Sequence, residues 1–209
     1  MTTFLILLYS VTLIYSTITE RFRTYAGLIG LQGAILFVLS IVELEKISTL
    51  NLLFIISETL IFKTILVPFL LFRIIQRTHY PRVHQHAMPG YYAVLLEAAL
   101  LLMSYLIAAS FGSKEIDTLY LTISLFAIFT GLLLIISHKK VFSHLVGFLV
   151  LENAVFLFSI AIGNEMPMLI NTGILLDIFI TVLILGAFAT RMGRVTESIE
   201  SDDLAQLKD

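Results

Sequence analysis

The sequence predicts an all-helical protein that crosses a membrane several times, and three observations carry that expectation. Of its 209 residues, 58% are hydrophobic and only 13% are charged, where a globular domain averages about a quarter charged. Its mean hydropathy is +0.98. The charges are also clustered, leaving apolar runs of roughly twenty residues, the length that spans a ~30 Å hydrocarbon layer at ~1.5 Å per residue.

Seven such runs follow one another: 3–18, 25–42, 49–72, 91–111, 119–136, 142–162 and 168–190. The first has no basic residue ahead of it and no small-residue cleavage site before Glu20, so it is expected to be a retained helix rather than a signal peptide. The second carries Gln32 at its centre, and the third carries Glu58, Lys63 and Pro68. A long polar loop, "RTHYPRVHQHAMPG", precedes the fourth, which opens on Tyr91 and Tyr92 and holds Glu97. The fifth has no charge. The sixth contains "GFLVLENAVFLFSIAIG", apolar except for Glu152 and Asn153, and the seventh has Asp177 near its middle. Tryptophan is absent, and Tyr80, Tyr91, Tyr92 and Tyr120 occupy the span ends where an aromatic belt is expected.

The basic residues set an orientation. Arg21 and Arg23 fall in the first loop, Arg73, Arg77 and Arg82 in or beside the third, and Lys139 and Lys140 in the fifth; Arg191, Arg194 and Lys208 follow the last span. Loops two and four have only Lys46 and Lys114. The positive-inside rule then puts the N-terminus outside and the C-terminus in the cytoplasm of a multi-pass protein of the plasma or inner membrane.

The chain also resembles itself. Residues 21–34, "RFRTYAGLIGLQGA", set over 141–154, "VFSHLVGFLVLENA", pair Phe22 with Phe142, Gly27 with Gly147, Leu31 with Leu151, Gln32 with Glu152 and Ala34 with Ala154. Further along, Glu58 falls on Asp177 and Phe69 on Phe188. The expected organisation is a three-helix unit over 1–76, a loop and single connecting helix over 77–112, a second three-helix unit over 113–194 and an acidic tail over 195–209. Three crossings are odd, so one extra span is needed for both units to keep the same orientation, and the fourth supplies it.

Ionisable residues at membrane depth are the functional candidates. A charged residue at a helix centre costs roughly 2.5–3.5 kcal/mol on insertion scales, and such residues normally face the bundle interior and mark ion or proton paths. Glu152, Asp177, Lys63 and Glu58 are therefore candidate relay groups, with Gln32, Asn153, Pro68 and His144 in support; Glu97 lies a turn or two from its helix start. The plainer reading is that a buried carboxylate only ties two helices together by hydrogen bonding, at about 0.6 kcal/mol. On an ideal α-helix Glu58 and Lys63 would be about 140° apart and face different neighbours. Pro68 would kink the third span and free the carbonyl of Thr64.

Several chemistries are not expected. Without cysteine there are no disulfides, thiolates or cysteine metal ligands, and a net charge of −2 offers nothing to nucleic acid. His79, His84 and His86 have no accompanying carboxylate or thiol, so no metal is expected there. His138 and His144 flank Lys139 and Lys140; titratable groups there could collect protons, but the favoured reading is decoration of the membrane interface. No phosphate-binding loop, nucleophile elbow or zinc signature occurs. No catalytic site and no cofactor are expected in this chain.

"GFLVLENAVFLF" followed by "LLDIFITVLIL" resembles the NuoK-type small subunit of respiratory complex I and its MrpC-type relatives in multisubunit antiporters. Glu152 and Asp177 fall on that family's two proton-path carboxylates, the second being Asp where complex I usually has Glu. With "FKTILVPFLL" and the closing "DDLAQLKD", the doubled arrangement resembles HyfE, the membrane subunit of hydrogenase-4-type complexes. Lys63 and Pro68, Glu152–Asn153 and Asp177 carry the match, which extends over essentially the whole chain; Glu58 matches no residue of that pattern. The resemblance implies a non-redox, proton-translocating subunit of a complex-I-like membrane assembly, with no catalytic site of its own. Implied partners are an antiporter-like large membrane subunit, a quinone- or hydrogenase-docking membrane subunit, and indirectly a [NiFe] hydrogenase or related redox module. The acidic tail would dock on a cytoplasmic partner through Leu204 and Leu207. A stand-alone transporter of a small solute or cation is the alternative. A retinal protein would need a lysine in the last span, which has none.

Overall fold

Apolar side chains dictate where each helix runs, and short polar turns dictate where it stops. The computed structural model describes residues 1–19, 21–43, 56–78, 90–111, 117–138 and 141–162, all within one compact unit, Met1–Leu175. Span 168–190 with Asp177, the tail, His79, His84, His86, Lys139 and Lys140 lie outside the described residues, as does the side chain of Glu58.

Among the described residues the protein is all-helical and contains no strand. In chain order the elements are α1 (Thr2–Ile18), α2 (Phe22–Glu43), a π-helix (Ile56–Leu66), α3 (Val67–Thr78), α4 (Gly90–Phe111), α5 (Thr118–Ser137) and α6 (Val141–Ile162). Among the described residues four helical stretches are long and apolar enough to cross a membrane: Phe22–Val42, Tyr91–Phe111, Thr118–Ser137 and Phe142–Ile162, with Thr2–Ile18 a shorter apolar helix. This is a multi-pass membrane protein. Asp117 caps α5, its Oδ1 accepting the backbone N–H groups of Leu119 at 2.8 Å and Tyr120 at 3.4 Å.

The third expected span is not a single α-helix. Ile56–Leu66 is wound as a π-helix, in which residue i is bonded to i+5. The side chain follows the same spacing: Thr64 Oγ1 donates to the Thr59 carbonyl at 2.8 Å. Two sequence expectations change as a result. Positions 58 and 63 are one turn apart on one side of the helix rather than 140° apart. Pro68 stands not within one α-helix but where the π winding gives way to α3, as the second residue of α3. Without a proline N–H the π pattern cannot continue, and the winding changes at that point.

Lipid tails are as apolar as leucine, so helices in a bilayer associate through close packing and polar contacts rather than by escaping water. Glycine allows two close backbone approaches. A Cβ on Gly131 of α5 would lie 2.9 Å from the Gly147 carbonyl oxygen of α6, and one on Gly147 would lie 2.9 Å from the Gly131 carbonyl oxygen. A Cβ on Gly33 of α2 would lie 2.9 Å from the backbone carbon of Lys63 in the π-helix. In each case the backbones meet with no room for a side chain.

α2 is the hub, packing against α1, α3, α6 and the π-helix. α5 packs along α6 and also meets α1 and α4. Phe22 and Phe142, the first ring-bearing residues of α2 and α6, have centroids 4.4 Å apart, while further along both helices Gln32 meets Asn153. Two contacts displaced in the same direction make α2 and α6 parallel and in register. α4 is peripheral: 17% of its apolar stretch is buried, against 61% for α5 and α6.

Candidate functional site

The centre of α2 meets the centre of α6 through polar side chains. Gln32 is fully buried; its Nε2 donates to Thr12 Oγ1 of α1 at 3.2 Å, and its Oε1 accepts from Asn153 Nδ2 of α6 at 3.3 Å. Thr12 Oγ1 in turn donates to the Tyr9 carbonyl at 2.6 Å. One amide thus links three helices, because a glutamine can donate and accept at once. These bonds are long for N–H···O, and each offsets part of the cost of burying an amide rather than adding much stability.

Glu152, next to Asn153, is 7% exposed. One helical turn beyond it, and so on its side of α6, is Phe156. The Lys63 ammonium nitrogen lies 4.8 Å from the centroid of the Phe156 ring, within cation–π range, and Lys63 is 5% exposed. Lys63 reaches this place because Gly33, the neighbour of Gln32, lets the π-helix backbone lie directly on α2. Pro68 does the same one step along: its Cγ would be 2.9 Å from a Cβ on Gly30. Thr59, fully buried, lies one turn before Lys63.

Where α1, α2, α6 and the π-helix meet, Thr12, Gln32 and Asn153 are hydrogen-bonded, Lys63 lies over Phe156, and Glu152 precedes that ring by one turn. An acid and an amine in one apolar setting can change protonation as neighbouring charge or hydration changes, while the amides only pass hydrogen bonds.

Other sequence candidates lie elsewhere. His144, half-buried on the first turn of α6, places Nε2 2.6 Å from the His138 carbonyl. His138 is buried, with Nδ1 3.0 Å from the Leu134 carbonyl and its ring edge-on to Tyr25 at 6.5 Å. These histidines tie the turn between α5 and α6, about two helical turns from Glu152. Glu97 is remote from the junction in another sense: its partner is Thr130 on α5, whose Oγ1 donates to Oε2 at 2.9 Å. Glu58 is placed only as a position on the π-helix, and Asp177 lies outside the described residues.

Sequence reasoning missed Thr12, Phe156, Gly30, Gly33 and Thr130. The glycines had a signal, since Gly27, Gly30 and Gly33 recur every three residues beside Gln32. Small residues at helical spacing mark close approach in membranes. Phe156 had none, being one aromatic in an apolar run. No known family, curated protein or solved structure matches the chain.

Proposed function

We propose that this protein is a non-redox subunit of a complex-I-like membrane assembly of the HyfE, hydrogenase-4 type, and that Lys63, Glu152 and Asp177 carry protons through it. The observation that carries the reading is the buried Lys63 ammonium over Phe156, one helical turn from the buried Glu152, with the Gln32–Asn153 bond reaching the same helix α6. Buried charge without water is costly, and groups that change protonation together lower that cost.

The parallel register of α2 and α6 supports the doubled arrangement. Parallel helices require an odd number of crossings between them; α4 and α5 provide two, and the continuous stretch 56–78 provides the third. With α1, α2, α6 and span 168–190, that gives the seven spans expected for two NuoK-like units and a connecting helix. In this reading Gln32 occupies the Glu152 position of the first unit and bridges hydrogen bonds where its counterpart holds a proton. The partners are an antiporter-like subunit on one flank and a hydrogenase- or quinone-docking subunit on the other, with a [NiFe] hydrogenase or related module supplying the redox energy. The basic loops put the N-terminus outside and the C-terminus in the cytoplasm.

The test is proton pumping by the assembled complex in sealed vesicles. Glu152→Gln and Asp177→Asn each abolish pumping while soluble-dye redox activity persists. Pumping that survives both changes removes the relay. A break in helical winding beside a lysine also suits a stand-alone cation transporter; uptake by the purified chain in liposomes would favour that reading.

A further inference from the structure

Glu97 takes no part in the junction, yet it is the most deeply buried acid among the described residues, at 1% exposure. It sits on α4, the helix with the least burial, and α4 touches its neighbours along a narrow stripe. The buried positions are Glu97, Ser104 and Ala108, and the neighbours are α5 and α1. The surrounding chemistry can be enumerated. α4 has no other charged residue, and α1 and α5 have none within their lengths. The titratable groups on the two facing helices are Tyr120 on α5, with Tyr9 and Tyr15 on α1. Asp117 and His138 only cap the ends of α5, about 20 Å and about 12 Å along its axis from Thr130.

The carboxyl has two oxygens in different states. Oε2 accepts the hydroxyl of Thr130 at 2.9 Å. Oε1 is buried without a hydrogen-bond partner among the described residues. An ionised carboxylate here would be a buried charge with one donor and no counter-ion among the described residues, a costly arrangement. As the neutral acid the same group costs less: Thr130 donates to the carbonyl-like oxygen, and the only group this leaves without a partner among the described residues is one neutral O–H on the other.

We propose that Glu97 and Thr130 form a proton-binding site of their own in the seam between α4 and α5, with Glu97 held as the neutral acid. The seam depends on that proton. Releasing it places a bare charge between helices that hold no compensating group, so α4 must shift outward or admit water when Glu97 ionises. The site is separate from the relay reading: loss of pumping in Glu152→Gln leaves it intact, and an ionised Glu97 leaves the relay intact.

Infrared spectroscopy of the full chain in lipid bilayers at neutral pH tests the proposal. The wild-type protein shows a carboxylic-acid C=O band that disappears in Glu97→Gln. In Thr130→Val the band moves to higher frequency, because its oxygen loses a donor, and in Thr130→Ser it returns. Carbon-13 labelling of glutamate side chains in otherwise unaltered protein gives the same readout if Glu97→Gln does not fold, since the labelled acid band still responds to Thr130→Val. A Glu97 that contributes only carboxylate bands overturns the proposal, and so does an acid band indifferent to Thr130.

Discussion

α2 and α6 have the same length, carry in their first turns phenylalanines packed on one another, and run side by side in the same direction. Each uses glycine to bring a neighbour's backbone into contact, α2 against the π-helix and α6 against α5. They differ in what stands at their centres. α2 presents a neutral amide, fully buried and bonded to two other helices, whereas α6 presents an acid with an amide beside it. With the Thr12 hydroxyl already donated to the Tyr9 carbonyl, only a group that donates and accepts together can bridge Thr12 and Asn153, and an ionised carboxylate only accepts. The comparison teaches a division of labour: α2 supplies the bridge, α6 the titratable group.

That comparison can be broken most sharply at the glycines. Gly131→Val forces a branched side chain into the α6 backbone and should cost about 3 kcal/mol, read as loss of equilibrium stability in mild detergent. Gly33→Ala meets the Lys63 backbone, which cannot swing aside as a side chain would, and should cost about 1–2 kcal/mol. If α2 tolerates alanine as well as an exposed helix does, it is not held against the π-helix as described. Gln32→Leu should cost about 1 kcal/mol by the same measure, because Asn153 Nδ2 loses its acceptor. Gln32→Glu sharpens the contrast, since a neutral acid can still bridge and an ionised one cannot; the variant should lose stability as pH rises. Phe156→Leu keeps the volume but removes the ring beneath Lys63, and about 0.5 kcal/mol is the expected loss.

Much of this architecture was legible because lipid leaves few choices. A backbone in hydrocarbon must bond to itself, so apolar length and polar breaks place α1, α2, α4, α5 and α6 to within about three residues of their observed ends. The π winding around Lys63 was not legible. Composition fixes that a segment is helical, but whether i bonds to i+4 or i+5 depends on how Gly30 and Gly33 seat it against α2. Glu152 and Lys63 announced themselves by charge, yet their common ground at Phe156 is a tertiary fact. Glu97 misled by position: two turns into its helix it could have faced the interface, and the narrow contact of α4 with α5 buries it instead.

The glycine-to-glycine approach of α5 and α6 joins neighbours in sequence, so that hairpin can close as soon as both helices are made. The Gln32–Asn153 bond joins residues 121 apart and must wait for everything synthesised between them. The polar junction is consequently among the last parts to assemble, and until then Lys63 and Glu152 lack the surroundings of the finished molecule. A nascent chain stalled at that step would carry two costly groups in the bilayer, which makes the order of synthesis itself a safeguard that α2 is inserted first.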